Sequence, residues 1–234
     1  MADTIDTAKA PPADKKQRII AALMALAGEM PWEEITISEV ALRAGISLAD
    51  FRDQFPSKGA VLAGFSRMID RKVLDGTTED LAAETARDRL FDVLMRRIDA
   101  MAPYKAGLKG ISQWVRRDPV SAMALNTTAL NSMRFMLEAA HLHSEGLAGT
   151  VKLQGLVIAW QRVLAVWFED DESGLDRTMA VLDRELSRGE TLTARLDDMT
   201  RLTAPLRSLA NAVLAGRPRP KTRTPDHSDD VTPV

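Results

Sequence analysis

Between Thr36 and Lys58 this chain gathers hydrogen-bond donors of several kinds: the hydroxyls of Thr36 and Ser47, the guanidinium groups of Arg43 and Arg52, the amide of Gln54 and the amine of Lys58. The sequence carries no glycine-rich phosphate loop, zinc signature or nucleophile elbow, so the set suits recognition rather than catalysis. Hydroxyls and helix N-terminal amides bind phosphate oxygens, and a lysine at the start of a further helix adds a charge-assisted contact. Arginine pairs with guanine and glutamine with adenine in a major groove, while small apolar residues such as Leu48 and Ala49 suit a thymine methyl. The chemistry is that of gripping a phosphate backbone and reading base edges.

Such donors work only if a short helix carries them, and the local sequence supplies one. In TISEVALRAGISLADFRDQFPSKGAVLAGF, residues 36 to 65, Thr36 caps a first helix with Glu39 reaching back, and Gly45 supplies the turn. Ser47 caps a second, short helix, Pro56 stops it, and Ser57 begins the next. Val40, Ala41, Ile46, Phe51, Phe55, Leu62 and Phe65 form the small core these helices share. Helix, tight turn and helix make the outline of a DNA-reading module. Asp50 serves as a capping acid, whereas Asp53 repels phosphate unless a neighbour such as Arg52 or Arg43 pairs with it.

The bulk numbers set bounds. The 234 residues, 25.7 kDa, suffice for a substantial core, and the net charge of -2 excludes a globally basic nucleic-acid protein. Any DNA contact must therefore use a local face or a pair of such faces. Cysteine is absent, which removes thiolate chemistry and disulfides and suits a reducing interior. No apolar run approaches a membrane span or a signal peptide, so a cytoplasmic protein is expected.

Helical spacing recurs along the whole chain. Apolar positions predict a lead-in helix from Lys15 to Met30, a longer helix from Lys58 to Leu74 bridging two cores, and helices near 84–102, 104–115, 119–141, 150–170 and 174–188. Strand-like alternation is missing. The expected fold is all-α: a disordered arm over 1–13, a three-helix helix-turn-helix domain over 14–75, an antiparallel helical bundle over 76–190, an amphipathic helix over 191–216 and a disordered tail over 217–234. The stretch 151–168 is apolar on most sides, which predicts a homodimer surface. His141 and His143, two apart, point to different helix faces, and Glu169 to Glu172 precede a new helix as dipole-favouring acids. Neither group forms a metal site, no residue is assigned a catalytic role, and no cofactor is expected.

The turn VALRAGIS and the following FPSK resemble the N-terminal signature of the TetR family of bacterial transcriptional regulators, "A-x-x-A-G-[VI]-S" leading into a helix that ends "F-x-x-K". The resemblance covers roughly residues 15 to 75. The chain departs from the family's recognition helix at Leu48, Ala49, Asp50, Arg52, Asp53 and Gln54, where a small or basic start, a central aromatic and a histidine are usual. The resemblance implies a homodimer on a double-stranded operator, and a small apolar or amphipathic effector between the later helices. Polar residues set among apolar faces are the candidates for that pocket: Trp114, Asn126, Asn131, Arg134, Gln154 and Trp160, with Met123, Met133 and Met136 as adaptable lining. The stretches FSRMIDRKVL and RDRLFDVLMRRIDAMAPYK are also similar to TetR-fold lipid-binding proteins of ubiquinone biosynthesis. That alternative implies an accessory protein that no longer binds DNA and touches a membrane peripherally through Leu192 to Val213.

Overall fold

In the computed structural model, residues 14–76, 84–171 and 174–191 are described, and among them every regular element is helical. Three helices build the head: α1 (Lys15–Glu29), α2 (Ile37–Ala44) and α3 (Leu48–Gln54). α4 (Lys58–Asp75) leads out of it, followed by α5 (Ala86–Met101), α6 (Lys105–Val115), α7 (Pro119–Ala139), α8 (Gly146–Trp167) and α9 (176–191). A single 3-10 turn, Ala102–Tyr104, joins α5 to α6. All lie within one compact unit, Met1–Leu192. Of the predicted arm, C-terminal helix and tail, only Thr191 falls among the described residues.

The helix ends follow from local chemistry. α1 stops at Glu29 because Met30, extended at φ -145°, precedes a proline that disfavours helical backbone at that position. Thr36 and Glu39 form a reciprocal capping box on α2, and Gly45 ends that helix at φ 63° in the left-handed region where glycine carries no Cβ penalty. α7 ends two residues short of the predicted boundary, since His141 adopts φ 58°. The predicted helix over 150–170 instead begins at Gly146. α9 begins at 176 rather than 174 and continues past 188 to 191, the last described residue, and the buried Asp170 carboxylate accepts hydrogen bonds from Thr178 N (2.9 Å) and Oγ1 (2.7 Å) in its first turn.

Head and bundle share one hydrophobic core. α1 crosses α6 so closely that a Cβ on Gly107 would stand 2.2 Å from the Met24 carbonyl oxygen, and one on Gly110 would stand 2.3 Å from that of Ala27. Trp32 stacks on Trp114 at 4.9 Å, pinning the α1–α2 link to the end of α6. α4 is buried along its length, by Val61, Leu62 and Phe65 in its first half and by Ile69, Asp70 and Val73 in its second. Asp70 is ion-paired with Arg97 of α5 and accepts a hydrogen bond from Ser132 Oγ of α7 at 2.6 Å. Arg97 is 5% exposed and lies 5.9 Å from the Trp160 ring. Burial pushes its guanidinium pKa down, against the pull of Asp70. A polar joint thus ties the bridging helix to the bundle interior.

Candidate nucleic-acid interface

The turn between α2 and α3 presents α3 outward on one side only. Phe51 is buried under it, whereas Ser47, Leu48, Ala49, Arg52 and Asp53 are exposed and Gln54 is half-buried. Leu48 keeps 54% of its surface, so the first turn offers an apolar contact beside the Ser47 hydroxyl. Ser47 Oγ accepts from Asp50 N at 3.0 Å, and Thr36 Oγ1 accepts from Glu39 N at 3.1 Å while donating to the Glu39 carboxylate at 2.8 Å. The Glu39 carboxyl is held below its ordinary value by the Thr36 backbone N–H and then by the Thr36 hydroxyl. Both hydroxyls stand at helix starts on the exposed surface.

The cations divide into engaged and free. Lys15 of α1 reaches Asp50 at 2.5 Å, and that hydrogen bond, foremost among several, lowers the Asp50 pKa. Arg43 pairs with Glu29. Lys58 turns inward: it donates to the carbonyls of Trp32 (2.8 Å) and Ile35 (2.5 Å), with its amine 4.8 Å from the Trp32 ring centre. Partial burial lowers its pKa, with Glu33 and Glu39 opposing. The resulting brace fixes the α1–α2 link beneath α2. Arg52 alone in α3 is a cation, it is exposed, and it forms no hydrogen bond or ion pair with the described residues. Asp53 next to it is likewise exposed and unpaired.

The residues predicted to line an effector pocket do not converge on one cavity among the described residues. Met123, Asn131 and Arg134 lie on the outer face of α7, Asn126 and Gln154 are half-buried, and Trp114 is occupied by Trp32. Trp160 is buried with Met133 and Met136 in the core, beside Arg97. Sequence reasoning missed Asp70, Arg97 and Ser132. A signal existed for Arg97, which continues the buried helical series Leu90, Val93, Leu94, Ile98 and Met101. An open crevice of about 300 Å³ lies instead between α1 and the α5–α6 corner, lined by Met24, Gly28, Tyr104 and Gly107 among others.

No protein-family model and no curated protein matches the sequence. Solved structures do match the fold. The chain is similar to a TetR transcriptional regulator from Rhodococcus sp. RHA1, with TM-score 0.57 and 22% identity over 75% of this chain and 94% of that one. It is also similar to the TetR transcriptional regulator from Nitrosomonas europaea ATCC 19718, with TM-score 0.60 and 17% identity over 76% and 98%. A tetR-family transcriptional regulator from Streptomyces coelicolor aligns at TM-score 0.50 and 15% identity over 86% and 99%. The fold is therefore that of TetR-type regulators, an all-helical head with a turn motif carried on a helical bundle.

Proposed function

We propose that this protein is a transcriptional regulator that binds double-stranded DNA as a homodimer through α3, with an effector-responsive bundle. The exposed edge of α3, bearing Leu48, Ala49 and the unpaired Arg52 behind a complete capping box and left-handed Gly45 turn, carries the reading. The Lys15–Asp50 pair supports it by removing one of the two carboxylate charges from that edge. Trp114 on Trp32, and the Asp70–Arg97–Ser132 joint on α4, give the bundle two contacts through which a change in its packing reaches the head.

The test is a gel-shift assay against DNA upstream of the protein's own gene, at two salt concentrations. Specific binding should weaken steeply with salt as phosphate counterions are displaced. Arg52→Ala should lower specific affinity by roughly fivefold to a hundredfold, the worth of one bidentate base contact, while leaving the fold intact. Absence of any shifted species at low salt would sink the proposal.

One observation favours a second reading, a TetR-fold lipid-binding accessory protein: Lys15, Arg43 and Lys58 of the head are engaged within the chain rather than turned toward a phosphate. On that reading the head is structural, and Arg52→Ala changes nothing that DNA reports.

A further inference from the structure

We infer that Arg18 of α1 grips a backbone phosphate beside the start of α3, a contact that fixes the register of the head on a duplex without reading its sequence; the inference rests on the DNA-binding reading above. Arg18 lies one turn along α1 from Lys15, and at about 100° per residue the two share a face. That face meets the α2–α3 turn. Lys15 reaches Asp50 at 2.5 Å, and Arg18 Nη1 stands 3.9 Å from the place a Cβ on Gly45 would take. Arg18 is half-buried, and its Nε is buried without a hydrogen-bond partner.

The bonding of its neighbours sets Arg18 apart. A guanidinium carries five donors and no acceptor, and one that leaves water for packing alone takes a carboxylate or a carbonyl with it. Three other cations of the head do this: Lys15 holds Asp50, Arg43 holds Glu29, and Lys58 holds the carbonyls of Trp32 and Ile35. The Arg18 side chain makes no hydrogen bond or ion pair with the described residues, although part of it has left solvent. Asp50 and Glu29 are already engaged elsewhere. The acceptor it lacks is an oxyanion supplied from outside, and position selects which one. Arg18 stands against the Gly45 turn, at the flank of the exposed edge that bears Leu48, Ala49 and Arg52. A helix seated in a major groove has phosphates along its flanks and base edges at its tip. Being rooted in α1 rather than α3, Arg18 is placed for the former and leaves the latter to Leu48 and Arg52.

Fluorescence anisotropy of the full chain over a salt series tests it, with two duplexes of equal length: the DNA upstream of the protein's own gene and a scrambled copy of that DNA. Arg18→Met keeps an unbranched apolar stem and removes the charge. It should weaken binding to both duplexes by the same factor, about fivefold per protomer at about 0.15 M salt, and make log affinity against log salt shallower by about 0.9 per protomer. Arg18→Gln should do the same, a second neutral variant should either one fail to fold. Arg18→Lys should restore most of the affinity and the slope, since an ammonium neutralises a phosphate as a point charge. Lys16→Ala removes a charge from the opposite side of α1, about 200° round the helix, and should leave the slope unchanged. An unchanged slope in the neutral Arg18 variants, a loss confined to the upstream duplex, or an equal change in Lys16→Ala would each overturn the inference while the parent still binds. A parent that binds neither duplex at low salt would instead remove the regulator reading, and this contact with it.

Discussion

At the scale of single residues, Arg52 and Asp53 oppose one another. Both are exposed and unpaired, so on the proposed reading the arginine would draw a phosphate or a base while the adjacent carboxylate would repel the same polyanion. Asp53→Asn should therefore strengthen operator binding several-fold at low salt, with the gain shrinking as salt screens the repulsion; an affinity unchanged by this substitution would place Asp53 away from the duplex. Asp50 was read correctly as a capping acid, since Ser47 precedes it by the expected spacing. Its ion pair with Lys15 was not legible, because the partner lies on another helix and only packing brings the two together. The same holds for Asp70, Arg97 and Ser132. In sequence they are scattered polar residues; in the fold they close a buried cluster. Arg97→Ala should destabilise the protein by about 3 to 5 kcal/mol in urea denaturation, because Asp70 is left charged and buried without its partner.

At the scale of elements, what the sequence made legible was local. Caps, a left-handed glycine and stop signals act over three or four residues, so α2, α3 and the start of α4 stand where spacing predicted. The α2 capping box has a pH signature. Glu39 is held below its ordinary 4.5 in the folded state, so its contribution is fully present above that value and is lost as pH falls through the lower folded one. Thr36→Ala removes the two bonds of the hydroxyl but keeps the Thr36 backbone N–H on the Glu39 carboxylate, so it should flatten the acid limb of the stability profile only in part, read from urea midpoints at successive pH values. The α1–α6 crossing was not legible, because Gly107 and Gly110 read only as weak helix formers until the Met24 and Ala27 carbonyls are seen against them. Gly107→Ala should cost more than the 1 to 3 kcal/mol typical of about one excess methyl in a packed site, since backbone rather than a movable side chain blocks the Cβ. A thermal midpoint equal to that of the parent would show that the two helices separate freely.

At the scale of the whole molecule, a chain with net charge -2 would, on the proposed reading, gain operator affinity by linking two weak heads. Sequence reading marked residues 151–168 as apolar on most sides, and the structure resolves that into a buried face and an outer one. The outer face of α8 exposes Val151 at 57% and Ile158 at 47%, with Gly155 between them and open space where its Cβ would be. Positions 151, 155 and 158 share one helical face, and the glycine allows a second backbone to approach. Arg162 and Arg188, both bound to the buried Glu185, stand near this face as a polar rim with its charge already shared. In the homodimer proposed above, this is the face expected to meet the second copy. Ile158→Asp should then convert the dimer to a monomer in analytical ultracentrifugation while leaving the fold intact, because the side chain is exposed within one copy. Operator affinity should fall far more than for any single α3 substitution, since losing the pair removes the second half-site and its effective concentration together. Half-site binding at low salt should survive in this variant, which separates loss of pairing from loss of reading; a dimer that persists with aspartate at 158 would move the contact to another helix.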